Sequence, residues 1–428
     1  MNRLMQIFVF LAIGLLPLTL HGAQASPADL VGKLTWADPK TGHDAIETLL
    51  TQGSTGVLAV TAMLKAPGTG DDANARFALQ GMVFSVTAAK DDARRQMLSG
   101  ALGQALTRRQ EPEVRALLLT QLQLVAGDES IPILSPLLTD PRLCDPAAQA
   151  LVTIGTPAAR TALRNALKAA QGRQQLTLVQ AVGAVADAES APIILPLVQV
   201  ADPVLRRSAL QALADTGSPT AQDPLLQAAA ATDAADRRTA RNALASLAKN
   251  WRNVGRSQEA AALARALIAL PEGAQVGLTM LTDAIGTAAL SDLENAVVGT
   301  DIPLREAALD QGAALRGQEA AAVWARLTLH ADPAIRMAVI QMLGNQRLPE
   351  SARVITAALK DVDADVRAAA VTALARLGGE TALKPLVSLV ATAQPADAEM
   401  ARETLRWVAA PDFNATVAAA LPGGTASG

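Results

Sequence analysis

Apolar positions along this chain follow helical spacing with a regular beat. After Asp363, the residues Val366, Ala369, Ala370, Ala373, Leu374 and Leu377 recur three and four apart, the single stripe of an amphipathic helix. Gly378-Gly379 ends that stripe, because glycine accepts positive φ without steric cost. A second helix is expected from near Ala382, carrying Leu386, Leu389 and Val390. The stripe is introduced by an acidic residue, three residues, then arginine. The same opening stands at Asp202 and Arg206, Asp233 and Arg237, Asp301 and Arg305, Asp332 and Arg336, and Asp363 and Arg367. Glu111 and Arg115, and Asp72 and Arg76, keep the spacing.

The beat has a fixed length. Arg206 and Arg237 stand 31 positions apart, as do Arg305 and Arg336, and Arg336 and Arg367. An independent comparison gives twice that value. Asp140-Pro141, Ala147, Gln149-Ala150-Leu151, Gly155 and Pro157 reappear 62 positions on at Asp202-Pro203, Ala209, Gln211-Ala212-Leu213, Gly217 and Pro219. Glu129-Ser130, Pro132-Ile133 and Pro136-Leu137 likewise recur at Glu189-Ser190, Pro192-Ile193 and Pro196-Leu197. The chain is a repeat array.

Each unit reads as two helices. An Asp-Pro start supplies a carboxylate for free first-turn N–H groups and a proline that gives up only an unpartnered donor. Its charge also meets the positive end of the helix dipole. Gly155-Thr156-Pro157 and Gly217-Ser218-Pro219 are a stop followed at once by a new cap. Neither helix can hide its apolar face alone, so successive pairs must stack. The pattern Asp-x-x-Val-Arg-x-x-Ala-x-x-Ala-Leu, with a period near 31 residues, resembles the short HEAT-like repeats of the phycobilisome-lyase kind. The resemblance covers roughly Asp72 to Val390 and is weakest between Asn250 and Thr300. It implies an all-α fold, a right-handed α-solenoid of stacked antiparallel helix pairs. It transfers no catalytic residue.

The ends and the middle depart from the beat. Met1-Asn2-Arg3, an apolar run from Leu4 to Leu20, and Ala23-Gln24-Ala25 form the pattern of a signal peptide over 1–25. Capping helices are expected over 26–71, from Leu30 to Leu64, with Trp36 in the first loop. Repeats follow over 72–250. An irregular helical segment is expected over 251–300, where Asn250 to Arg256 lacks a clean stripe and a long turn precedes a helix from Ser257. Repeats and a C-terminal cap occupy 301–422, with Trp407 and Val408 closing a helix and Phe413 to Leu421 forming another; 423–428 is a small-residue tail.

Composition sharpens this picture. The chain is 50% apolar but only 2% aromatic, without tyrosine, and alanine and leucine dominate, which favours helix over strand. The formal charge is −3 over the whole chain. Such a balance gives no footprint for nucleic acid. Charges interrupt every later apolar run, so no membrane span is expected once the signal is removed. Cys144 is the single cysteine, which rules out an intrachain disulfide and suits a small packed side chain. It falls in the arginine register, so its unit lacks that rung and a weaker junction is expected there.

Candidate chemistry is sparse. His43 and His330 are far apart and in no metal-ligating pattern. No Gly-x-Ser-x-Gly elbow or phosphate-binding loop is present. No catalytic residue, cofactor or metal is expected. The recurring Asp202, Arg206, Asp233, Arg237, Asp301, Arg305, Asp332, Arg336, Asp363 and Arg367 read as a structural ladder, by pairing within a helix turn or by reaching the neighbouring unit. Trp251, Arg252 and Arg256, at the break in the beat, are the candidate binding residues, with Trp251 as a gap filler the competing reading. The expected function is a non-catalytic exported scaffold, periplasmic or secreted, that binds a protein or an extended polymer on a concave helical surface. The alternative is an accessory module of a secreted carbohydrate-processing system, because similar arrays precede hydrolase-like β domains.

Overall fold

The computed structural model describes residues 25–34 and 39–408. The expected signal sequence up to residue 24, Trp36, the helix from Phe413 and the tail from Gly423 lie outside the described residues. Among the described residues every regular element is helical. Two compact units divide the chain, Met1–Thr177 and Leu178–Gly428.

The first unit holds α1 (Pro27–Gly32), α2 (Pro39–Thr51), α3 (Gly53–Ala62), α4 (Ala73–Ala89), α5 (Asp92–Arg108), α6 (Pro112–Gln123), α7 (Ile131–Leu134), α8 (Cys144–Ile154) and α9 (Pro157–Ala169). Helices α2, α4, α6 and α8 pack in one row, with α3, α5 and α7 behind them. Among the described residues three helices precede Asp72. Gly53 at φ +63 lets the chain reverse between α2 and α3 with Gln52 alone between them. The next helix, α10 (Gly172–Ala184), runs past the boundary between the units.

The second unit continues with α11 (Ala191–Ile194), α12 (Pro203–Asp215), α13 (Gln222–Ala229), α14 (Ala234–Asn253), α15 (Ser257–Ile268), α16 (Ala274–Ile285) and α17 (Leu290–Val298). It ends with α18 (Ile302–Gly312), α19 (Gln318–Leu327), α20 (Pro333–Gln346), α21 (Ala352–Ala358), α22 (Ala364–Leu377), α23 (Gly379–Thr392) and α24 (Pro395–Leu405). The even-numbered helices from α12 to α24 pack each on the next in a front row, and α13, α15, α17, α19, α21 and α23 form the row behind. This is the layered stack of helix pairs that the repeat predicts.

The caps form as expected. The carboxylate of Asp202 accepts from Val204 N at 2.8 Å, and those of Asp233, Asp301, Asp332 and Asp363 accept from first-turn N–H groups at 2.8 to 3.0 Å. Each such cap stabilises its helix by about 1 kcal/mol. In α22 the predicted stripe is buried at Val366, Ala369, Ala370, Ala373 and Leu374. In α23 the stripe is rotated. Ala382, Leu383, Leu386 and Val387 are buried, whereas Leu389 and Val390 are only half-buried, and the helix starts already at Gly379. The recurring Pro-Ile and Pro-Leu dipeptides also have a structural meaning. Residues 128–139 and 188–199 each run as a 3-10 turn, a four-residue α-helix and a second 3-10 turn, since two prolines four apart leave no room for a regular hydrogen-bond ladder.

The middle is more regular than its sequence suggests. Helix α14 runs through Trp251 to Asn253, and the break shrinks to Val254-Gly255-Arg256, with Gly255 at φ +83. Helix α15 starts at Ser257 with Ala261, Leu263 and Leu267 buried, as predicted. Trp251, in the last turn of α14, is itself buried. At the far end α24 stops at Leu405, and Trp407 lies beyond it with its side chain exposed.

Candidate protein-binding surface

The ladder residues divide their work. Among the acidic-arginine openings, Asp72 and Arg76 pair within one helix turn at 2.8 Å. In the second unit the aspartates cap, and the arginines turn away from them. Arg206 donates through Nη1 to the Val200 and Ala201 carbonyls at 2.8 and 3.2 Å and through Nε to Asp236 at 2.7 Å. Arg367 repeats this on Asp361 O, Val362 O and Asp397. Arg336 donates to His330 O and Ala331 O and grips Asp361 with two bonds of 2.7 and 2.8 Å. That grip holds the Asp361 carboxyl below the usual carboxylate range. Arg237 reaches the Ala231 and Thr232 carbonyls and lies 3.7 Å from Glu272, and Arg305 reaches those of Val297 and Gly299. The arginine satisfies turn carbonyls left open by the preceding helix, and in four of these units it also ties down a carboxylate of the following one.

The structure parts the three residues singled out at the break. Trp251 is 2% exposed and its indole N–H donates to the Gly217 carbonyl at 2.9 Å. The Arg256 guanidinium lies 4.6 Å from the centre of that ring and also bonds Glu259. These two lock the turn between α14 and α15. Arg252 points elsewhere, donating to the Asp283 carbonyl at 2.8 Å on α16.

Arg252 thereby borders a groove of about 370 Å³ between α14 and α16, walled by Ser246 and Lys249 on one side and Gln275, Thr279 and Asp283 on the other. A second groove, of about 430 Å³, lies between α18 and α20. Glu306 and Asp310 rim it from α18, Gln341 and Asn345 from α20, and Leu309, Met337 and Met342 form its floor. Both grooves open on the front row. Sequence reasoning missed the second one. The usable signal was the fifth residue after each ladder arginine, which is Gln211, Asn242, Asp310, Gln341 or Thr372 among otherwise apolar repeats. In the first unit the front-row groove between α2 and α4 differs in character. It is about 700 Å³ and is lined by Ile46, Phe77, Phe84, His43 and Gln80, with Phe84 74% exposed.

Among the described residues the titratable groups form no reactive constellation. Burial pushes the Cys144 thiol up to about 11, so it stays protonated near neutrality. Asp215 is raised by burial and accepts a bond from Gln211 at 2.9 Å. Among the described residues no cluster of His, Cys, Asp or Glu is arranged to hold a metal ion. No helix among them is long and apolar enough to cross a membrane.

The family model for HEAT repeats matches residues 171–245 and 320–406, and that for the PBS lyase HEAT-like repeat matches 147–169. No curated protein matches the sequence. Among solved structures, human deoxyhypusine hydroxylase in complex with glycerol is 19% identical, over 65% of this chain and 96% of that one, with a TM-score of 0.25. Kap121p is 13% identical over 92% of this chain and 48% of its own, with a TM-score of 0.44. Importin beta is 12% identical over 93% and 56%, with a TM-score of 0.36. This chain thus spans about half the length of the last two. HEAT repeats are thus recognised in residues 147–169, 171–245 and 320–406, where the structure shows stacked helix pairs.

Proposed function

We propose that this protein is an exported, non-catalytic scaffold that holds a protein partner on the front row of its second unit. The observation that carries the reading is the pair of grooves between successive front-row helices, with polar rim side chains that the fold does not use. Lys249, Glu306, Asp310 and Gln341 are exposed, and among the described residues none has a side-chain hydrogen bond or ion pair. The ladder arginines are engaged with turn carbonyls and carboxylates. Unspent polar groups around a partly apolar trough are what a protein surface offers to another chain. Export rests on the basic start, the apolar run and the Ala23-Gln24-Ala25 triplet.

The test uses the purified protein as bait against a periplasmic extract, in parallel with Lys249→Glu. A partner retained by the wild-type chain and lost by the variant supports the reading. Turnover of a glycoside with no retained protein overturns it in favour of a carbohydrate-processing role. Fractionation with N-terminal sequencing tests export separately: a new N-terminus at Ser26 outside the cytosol is expected, and an intact Met1 inside the cytosol sinks that half.

A further inference from the structure

We propose that the groove between α18 and α20 takes an extended segment of the partner in which two basic side chains flank an apolar one. This rests on the scaffold reading above and names the chemistry that one groove selects.

Glu306 and Asp310 stand one helical turn apart on α18, both exposed, with no cation within ion-pair distance among the described residues. The arginines around them are engaged elsewhere. Arg305 donates to Val297 O at 2.9 Å and Gly299 O at 2.7 Å, Arg316 donates to Ala313 O, and Arg336 is bound to Asp361. Two carboxylates therefore stand without an ion-pair partner beside a trough that Arg305 also lines, its guanidinium turned to the Val297 and Gly299 carbonyls. Side chains four apart on a helix lie about 6 Å from each other. Alternate residues of an extended chain lie about 6.6 Å apart on the same side. A strand running along α18 brings its first and third side chains over the two carboxylates and turns its second toward α20.

What the second side chain meets is apolar and adaptable. Met337 is half-buried at the groove floor, with Leu309 and Met342 beneath, and Ile302 is 60% exposed at one end. Methionine repacks around varied partners. The opposite wall offers amides. Asn345 Oδ1 accepts from Arg376 at 2.5 Å, which leaves its NH₂ group as a donor, while Gln341 keeps both donor and acceptor. A peptide backbone needs both. An anionic ligand such as nucleic acid or an acidic membrane meets repulsion from the same two carboxylates.

The experiment measures binding of a fluorescent Lys-Leu-Lys-Leu-Lys peptide to the purified protein by anisotropy. Glu-Leu-Glu-Leu-Glu and the block peptide Lys-Lys-Lys-Leu-Leu serve as comparisons. The alternating basic peptide should bind best, and raising the salt should weaken it. Glu306→Gln with Asp310→Asn should weaken it at least tenfold, with unchanged helical circular dichroism. Lys384→Gln, on the back-row helix α23, should leave binding as it is. Equal binding by the double variant, equal or better binding of the block or acidic peptide, or no binding at millimolar protein overturns the proposal. The two readings fail differently. A natural partner lost with Lys249→Glu but retained by the double variant leaves the scaffold reading standing and removes this one.

Discussion

Two junctions between helix pairs solve one problem in opposite directions. At Arg367 the front-row helix reaches back to the Asp361 and Val362 carbonyls of its own preceding turn and forward to Asp397 on α24. At the register-equivalent Cys144 there is no guanidinium, and the turn carbonyl of Leu138 would stand open. The next helix supplies the donors instead. Gln174 bonds Leu138 O at 3.4 Å, while Arg173 and Thr177 bond the Asp145 carboxylate at 2.7 and 2.6 Å. Leu138 stands six residues before Cys144, as Asp361 stands six before Arg367. What the repeat preserves is a covered turn and a polar tie to the next helix. The arginine is one way of providing both.

The two solutions differ in burial, and that sets their energetic weight. Asp397 is 8% exposed, whereas the Arg173 and Asp145 side chains are 79% and 47% exposed. Arg367→Ala leaves a buried carboxylate without its cation, which costs about 3–5 kcal/mol. Urea unfolding should show the midpoint falling accordingly. A loss under about 1 kcal/mol would place this rung with ordinary surface pairs.

Acid tests the neighbouring rung, that of Arg336, next. The folded Asp361 carboxyl is held below its usual range, first by hydrogen bonds from Arg336. Its contribution is therefore present above the unfolded value of 3.8 and is lost as pH falls through the lower folded value. Asp361→Asn should flatten the stability profile of the protein below about pH 4, where the wild type loses stability. An identical acid limb in both proteins would break the assignment.

The two tryptophans buried among the described residues extend the contrast between a tied and an untied group. Trp251 donates to Gly217 O, but the Trp324 indole N–H has no partner among the described residues and is wedged against Gly312. Trp251→Phe leaves a carbonyl unpaired and should cost about 1–3 kcal/mol. Trp324→Phe removes an unsatisfied donor and should cost less. Thermal or urea unfolding of the pair decides it, and a reversed order would show that shape alone fixes both rings.

How much of this was legible beforehand depends on spacing. The 31-residue beat, the capping aspartates and the helix from Ser257 stand in the sequence because each depends on neighbours within one turn. The partner of each arginine does not. Arg206 and Arg367 find Asp236 and Asp397 thirty residues on, while Arg336 finds Asp361 twenty-five on. Trp251 looked like a disruption because its partner, the Gly217 carbonyl, lies 34 residues back in the chain. The carboxylates of Glu306 and Asp310 carried no local mark, since any exposed helix face is polar. They become a site only when α20 supplies the second wall.

The smallest expected effect tests the reversed junction itself. Asp145 is depressed mainly by the hydrogen bond from Thr177, and Arg173 adds to it from solvent. An exposed tie of this kind is worth about 0.2–1 kcal/mol. Asp145→Ala should therefore lower the urea midpoint only slightly, far less than Arg367→Ala. Cys144 beneath it reports whether the junction stays closed. Its thiol is buried and raised to about 11, so iodoacetamide at pH 8 should leave it unmodified in the wild type. In Asp145→Ala the labelling rate, read by mass spectrometry, should rise only modestly if the apolar packing of Cys144 and Leu143 carries the junction. Rapid labelling of the folded variant would mean that the polar tie from α10, and not the packing, holds these helices together.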